Sequence, residues 1–322
     1  MSRHLPRRTF LITAAALVAA SVQAQGWPSK PIRLIVPYAP GGPSDAVARL
    51  LAERMQLGQA VVVENRAGAS GMTGMDAVAK SVPDGHTLAF AAVSPITLNP
   101  HLGKVPYDPQ KDFVSVARVM YSPVYVVATS AFKGKTFADA IAQAKERPGE
   151  LSVATSGMGS VGHLMLAQIS RKAHVQFNHI PYKGSGQVTN DAAGGVFDLF
   201  TTNPSPAVNS LISQGRLHVL SVAAPKRLAS MPDVPTLDEL GYADANLSSI
   251  FGIFAPAHTT ADVQKRIHAE VNRVLADNDV RERLGKLGYG IDIGSTEQFA
   301  MQVGREFEAN ARIVKEAGIR ME

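Results

Sequence analysis

Between residues 31 and 131, short apolar runs alternate with stretches whose apolar positions recur every three or four residues. PIRLIVPY, AVVVE, HTLAFAAV, FVSVARVM and VYVVATS read as strands. SDAVARLLAERM predicts a helix with Val47, Leu50, Leu51 and Met55 on one face, and MDAVAKS predicts another. The alternation then starts afresh. TFADAIAQAKER predicts a helix opened by Thr136 as N-cap. LSVAT, VQFNHIPY, VFDLFTT and LHVLSVAA follow as strands. HLMLAQISRK, a segment around Gly186 to Ala193, and PAVNSLISQG, ended by Gly215, are the helices between them. After a proline-rich passage (Pro225, Pro232, Pro235) comes one more strand, SIFGIFAP. Two long helices, roughly Ala261 to Leu284 and Thr296 to Ala317, finish the chain.

Strands alternating with helices imply mixed, mostly parallel sheets covered on both faces, an α/β architecture. The fresh start makes two such units, with passages between them near residues 120–130 and 225–250. The terminal helices need an apolar surface, and the first unit is the natural one. That makes the first unit discontinuous in sequence.

The N-terminus changes the reading of charge. Arg3, Arg7 and Arg8 precede an apolar run, Phe10 to Ala20, and Val22-Gln23-Ala24 fits a small-residue cleavage site. Residues 1–24 therefore read as a secretory signal, and RRTFL also fits a twin-arginine leader. The chain's formal charge is +5, and taking away these three arginines leaves +2. No basic run remains to suggest nucleic acid. No later apolar run reaches 18 residues, so the mature protein is expected to be soluble and periplasmic. With no cysteine in the sequence, disulfides, thiolate metal sites and cysteine nucleophiles are excluded.

Two glycine-rich loops carry the candidate chemistry. Gly157-Met158-Gly159-Ser160-Val161-Gly162 has the G-x-G-x-x-G spacing between a strand and a helix. A nicotinamide site also needs an acid at the end of the next strand. That strand ends in Tyr182-Lys183, so the dinucleotide reading loses its ribose contact. Free amides at a helix N-terminus, with Thr155, Ser156 and Ser160 around them, remain suited to an anion. Pro40-Gly41-Gly42-Pro43-Ser44-Asp45 occupies the equivalent place in the first unit. Taken alone it reads equally as a capped turn. Ligands in open α/β sheets bind outside the carboxyl ends of strands, so two such loops facing each other would grip a small ligand with two anionic groups. Further polar segments follow other strands: Ser94 to Asn99, Lys183 to Gly186, and Thr201-Thr202-Asn203. Lys183 either neutralises a carboxylate or is a solvated loop lysine. Asp198, inside an apolar strand, needs partners: a neighbouring loop or a ligand donor. The sequence has no G-x-S-x-G, no H-E-x-x-H and no metal spacing among its nine histidines.

WPSKPIRLIVPYAPGGPSD, VVVENRAGASG, PDGHTLAF, NPHLGKVPYDPQKDF, ATSGMGSVGHL, HIPYKGSG and MPDVPTLDELG occur in this order. Together they resemble the receptors of tripartite tricarboxylate transporters, the Bug family, from residue 27 to about 322. The resemblance implies a periplasmic binding protein of the type II, flytrap kind. Its lobes would be residues 25–124 with 248–322, and 125–247, with a hinge near 120–130 and 245–255. It implies a monomeric receptor, not an enzyme, needing no cofactor. The receptor would capture a small organic acid and dock on membrane components of the transporter. An exported cofactor-dependent oxidoreductase and a periplasmic sensor for a signalling kinase are the alternatives. Carried over residue by residue, the first carboxylate falls to Tyr38, Gly41, Gly42 and Ser44. The second lobe contributes Ser156, Gly159 and Ser160, and the segment after HTLAFAAV contributes Ser94, Thr97 and Asn99. Asp198 holds the place of a ligand-facing acid, with Lys183 and Asn203 nearby. Two departures stand out: His86 replaces a common tyrosine, and Thr201-Thr202 replaces a more usual Asp-Asn.

Overall fold

The computed structural model describes residues 26–317; the signal-peptide reading of residues 1–24 lies outside them. In chain order the elements are β1 (Ile32–Val36), α1 (Pro43–Arg54), β2 (Val61–Asn65), α2 (Met72–Ala79), β3 (Thr87–Ala92), α3 (Ser94–Thr97), α4 (Asn99–Leu102), β4 (Phe113–Ser122) and β5 (Val124–Ala128). There follow α5 (Phe137–Glu146), β6 (Ser152–Thr155), α6 (Val161–Ala173), β7 (Asn178–Pro181), α7 (Ser185–Ala193), β8 (Leu199–Thr202), α8 (Pro206–Ser213) and β9 (His218–Ala223). The chain ends with β10 (Ser249–Pro256), α9 (Ala261–Ala276), α10 (Asn278–Lys286), β11 (Gly290–Ile291) and α11 (Thr296–Ala317).

These elements build two sheets, and hence two α/β lobes. One has the order β11-β4-β10-β3-β1-β2, the other β7-β6-β8-β5-β9. The chain passes between them at Pro123 and again after β9. The expectation of mostly parallel sheets needs correction. β1 pairs parallel with β2 and β3, and β6 with β7 and β8. β10 runs antiparallel to β3 and β4, β4 to β11, and β5 to β8 and β9. The crossing strands are the antiparallel ones. A strand arriving from the other lobe is not bound by the crossover helix that forces parallel pairing.

Burial follows the sequence pattern. β3 and β10 are buried throughout, as strands covered on both faces must be. In α1, Val47, Ala48 and Leu51 are buried, spaced for one helix face. Thr136 caps α5 through a reciprocal pair with Asp139. α9 and α11 do pack on the first sheet: Ile267, Val271 and Val274 join its core, and Phe299 lies against Phe254. The long helix expected over Ala261 to Leu284 is broken. Asp277 leaves the helical conformation and accepts from the backbone N–H groups of Asp279 and Val280, at 2.9 and 3.2 Å, which starts α10. The polar loop expected after β3 is instead the two short helices α3 and α4. Among the described residues no helix is long and apolar enough to cross a membrane.

Candidate functional site

The carboxyl ends of β1 and β3 in one sheet, and of β6, β7 and β8 in the other, meet at a cavity between the lobes. From the first lobe it is lined by Tyr38, Gly42, Pro43 and Ser44, by Ser70, by Ala92 and Ser94, and by Ser249 and Phe251. From the second come Ser156, Ser160, Val161 and Gly162, then Ser185, then Thr201, Thr202 and Asn203, with Val124 at the crossing. The space left for the centres of water molecules is about 50 Å³. At roughly 10–15 Å³ per water, this holds a few waters or a compact ligand. The lining offers hydroxyls, amides and one phenol, and no charged side chain.

Three helix N-termini supply the electrostatics. Gly42 is the N-cap residue of α1 and Gly184 that of α7, and neither terminus has a side-chain cap. Ser160 is the N-cap residue of α6, and its Oγ accepts from the N–H of His163 at 3.2 Å. Each terminus presents roughly half a positive charge through its unpaired N–H groups. The cavity is therefore positive without a lysine or arginine.

The loop before α1 is held rigid from behind. Asp45, 6% exposed, accepts from Gly41 N–H at 3.1 Å, Arg49 Nε at 3.1 Å and Asn65 Nδ2 at 2.9 Å. Burial works to raise its carboxyl, and the hydrogen bonds from Arg49, Gly41 and Asn65 outweigh it and hold the group below its ordinary value. Asn65 Nδ2 also donates to Tyr38 O at 3.1 Å. Tyr38 is hydrogen-bonded with Ser94, and burial drives its phenol far above its ordinary pKa, so it remains neutral.

The loop before α6 is backed by two histidines. His163 and His179 stack with centroids 4.5 Å apart and planes 6° from parallel. Gly159 N–H donates to His163 Nδ1 at 3.2 Å, and His179 Nε2 lies 2.8 Å from Thr155 Oγ1. Burial, then the neighbouring His179, lowers His163 to about 4, and burial lowers His179.

The lobes touch around the cavity. Ser70, in a left-handed conformation at φ 52°, donates through Oγ to Met158 O across the cleft. Asn99 Nδ2 donates to Ser70 O at 3.3 Å, and Asn99 Oδ1 faces Gly159. A methyl added to Gly42 would lie 2.8 Å from Ser185 Oγ of the other lobe. Asn203 ties both crossings together: its Nδ2 donates to Pro123 O at 3.0 Å and to Ser249 Oγ at 3.1 Å.

Seven of the expected site residues therefore meet at one place: Tyr38, Gly42, Ser44, Ser94, Ser156, Ser160 and Asn203. Six do not line the cavity. Gly41 turns its N–H to Asp45. Thr97 is buried in α3, donating to Val93 O at 3.1 Å and accepting from Asn310. Asn99 and Gly159 meet each other at the lobe contact. Lys183 is exposed. Asp198 precedes β8, at the strand end away from the cavity, and accepts from Ser152 N–H at 2.9 Å and Oγ at 2.6 Å. It ties β6 to the start of β8 through a strand residue, neither a loop nor a ligand donor. His86 is also remote; its Nε2 accepts from Ser29 N–H at 3.1 Å. Sequence reasoning missed Ser70 and Ser249 as lining residues, and reached Ser185, Thr201 and Thr202 only as members of polar segments after strands. Each follows or opens a glycine-bearing or strand segment already singled out, but only lobe packing brings them together.

This fold, with a polar cavity closed between two lobes, is that of periplasmic binding proteins. The solved structure of the periplasmic binding protein BugD matches with a TM-score of 0.86 at 30% identity, covering 92% of this chain and 100% of BugD. MatC from Rhodopseudomonas palustris, solved with bound malate, matches with a TM-score of 0.85 at 30% identity, covering 89% of this chain and 100% of MatC. Protein BugT of Bordetella pertussis is 36% identical over 315 residues, 97% of this chain and 96% of BugT. The profile of the tripartite tricarboxylate transporter family receptor matches residues 47–319. The chain belongs to that receptor family.

Proposed function

We infer that this chain is an exported, monomeric receptor that captures a small carboxylate-containing metabolite between its lobes and hands it to the membrane components of a tripartite tricarboxylate-type transporter. The observation that carries this reading is the convergence of the α1, α6 and α7 N-termini on one uncharged, hydroxyl-rich cavity. Such termini hold carboxylates through charge-assisted hydrogen bonds from fixed amides. The malate bound in MatC supports the ligand class, and the family supports the partner. Tyr38, Gly42, Ser44, Ser94, Ser156, Ser160 and Asn203 are the ligand contacts in this reading. Residues 25–124 with 248–322 move against 125–247 about the crossings beside Asn203. The role is read as binding rather than turnover because the family is one of receptors.

A thermal-shift screen of mono-, di- and tricarboxylic and aromatic acids tests the reading. A ligand at 100 times its Kd adds about 2.7 kcal/mol of stability. Gly42→Val obstructs closure against Ser185 while leaving each lobe intact, so it abolishes that shift without lowering the unliganded transition. If no acid moves the transition of the natural sequence, the reading fails.

A further inference from the structure

Thr201 is 3% exposed and lines the cavity, yet its Oγ1 has no hydrogen-bond partner. Its position is built. Gly162 lies against it so closely that a methyl there would overlap Oγ1. Its neighbour in β8, Thr202, donates to Asn203 O at 3.1 Å, which leaves Thr201 as the hydroxyl of the pair without a partner. A buried hydroxyl without a partner is costly unless something that enters the site satisfies it.

What enters is constrained by charge. Around Thr201 the N-termini of α1, α6 and α7 make the cavity positive. No carboxylate lines it. The acids closest in sequence to the lining are already occupied: Asp45 by Gly41, Arg49 and Asn65, and Asp198 by Ser152 at the far end of the strand. An ammonium group brought here would be buried among helix N-termini with no counter-charge. A ligand oxygen would meet a hydroxyl able to donate or accept.

Resting on the carboxylate reading above, we propose that the site takes carboxylic acids lacking an amino group, such as hydroxy- and oxo-acids, and excludes amino acids of the same skeleton. Thr201 is the specificity-determining residue, pairing through Oγ1 with an oxygen of the substrate.

The test is calorimetry with matched hydroxy and amino acids: lactate and alanine, malate and aspartate, 2-hydroxyglutarate and glutamate, phenyllactate and phenylalanine. In the natural sequence at least one hydroxy acid binds a hundredfold or more tighter than its amino partner. Thr201→Val keeps the shape and the thermal transition but weakens that hydroxy acid about tenfold. Thr201→Asp supplies a counter-charge and narrows or reverses the preference. An amino acid that binds the natural sequence as tightly as its hydroxy partner overturns the proposal. Unchanged hydroxy-acid affinity in Thr201→Val overturns the role of Thr201. If no acid of the panel binds, the carboxylate reading falls and this inference with it.

Discussion

Acidification should loosen the second lobe, chiefly through the imidazole of His163. His163 Nδ1 accepts from Gly159 N–H, so the folded state requires that nitrogen unprotonated. Burial and His179 set its folded pKa at about 4, whereas an unfolded histidine titrates near 6.5. Between those values the unfolded chain binds more protons than the folded one, so stability rises with pH there. The contribution is complete above about pH 6.5 and is lost as pH falls toward 4. At pH 5 the loss is about 2 kcal/mol, at about 1.4 kcal/mol per pH unit below the unfolded pKa. His179, lowered in the same direction by burial, adds to it.

His163→Asn isolates the effect, because the asparagine Oδ1 can take the place of Nδ1 as acceptor but does not titrate. Urea unfolding of both proteins at pH 7.5, 6 and 5 is the assay. The natural sequence should lose about 2 kcal/mol more than the variant between pH 7.5 and 5. Parallel pH profiles would refute the assignment of His163 as the group that loses stability in acid.

Three other substitutions separate ligand contacts from supports. Gly162→Ala drives a methyl into Thr201; overpacking should cost about 1–3 kcal/mol and weaken acid binding at least tenfold, and calorimetry showing normal affinity would contradict the proposed place of Thr201. Asp45→Ala leaves Gly41 N–H without its acceptor, Arg49 without its carboxylate, and Asn65 Nδ2 with Tyr38 O alone, so urea unfolding should report a loss of about 2–3 kcal/mol, with weaker ligand binding from a loosened loop. Asp198→Ala removes the acceptor of Ser152 and should lower stability by about 1–2 kcal/mol while leaving ligand Kd within twofold; a large loss of affinity would return Asp198 to the site.

The elements were legible where burial alone decides them. HTLAFAAV and SIFGIFAP are apolar without alternation because β3 and β10 are covered on both faces. Strand direction was not legible, since an apolar run has no polarity and β10 reaches its sheet from the other lobe. The break at Asp277 was hidden because Val280 and Leu284 continue the buried stripe of Val271 and Leu275 into the same core. At the site, the glycine loops announced themselves through spacing that only tight backbone turns need. Thr97 and Asn99 did not fit, because the segment after β3 coils into α3 and α4 and turns them away from the cavity. Ser185 and Thr201 sit in polar segments that the strand ends picked out, whereas Ser70 and Ser249 become site residues only when the lobes are packed, and no local pattern encodes that.

The three glycines of GMGSVG show what the spacing is for. Gly157, at φ 139°, faces Ser70 of the other lobe; a methyl there would lie 2.6 Å from Ser70 Oγ. Gly159, at φ 73°, faces Asn99 of the other lobe while its N–H is held by His163. Gly162, inside α6, faces Thr201 of its own lobe. The first two permit close approach of the lobes, and the third makes room for a hydroxyl at the cavity wall. In a dinucleotide fold the same spacing lets backbone approach a pyrophosphate. Here it lets two protein surfaces approach each other around the cavity. The loop is therefore tied to closure: the backbone leading into α6 carries the lobe contacts of Ser70 on Gly157 and of Asn99 on Gly159. A ligand that bridges α1 and α6 then favours the closed state through contacts the open state lacks.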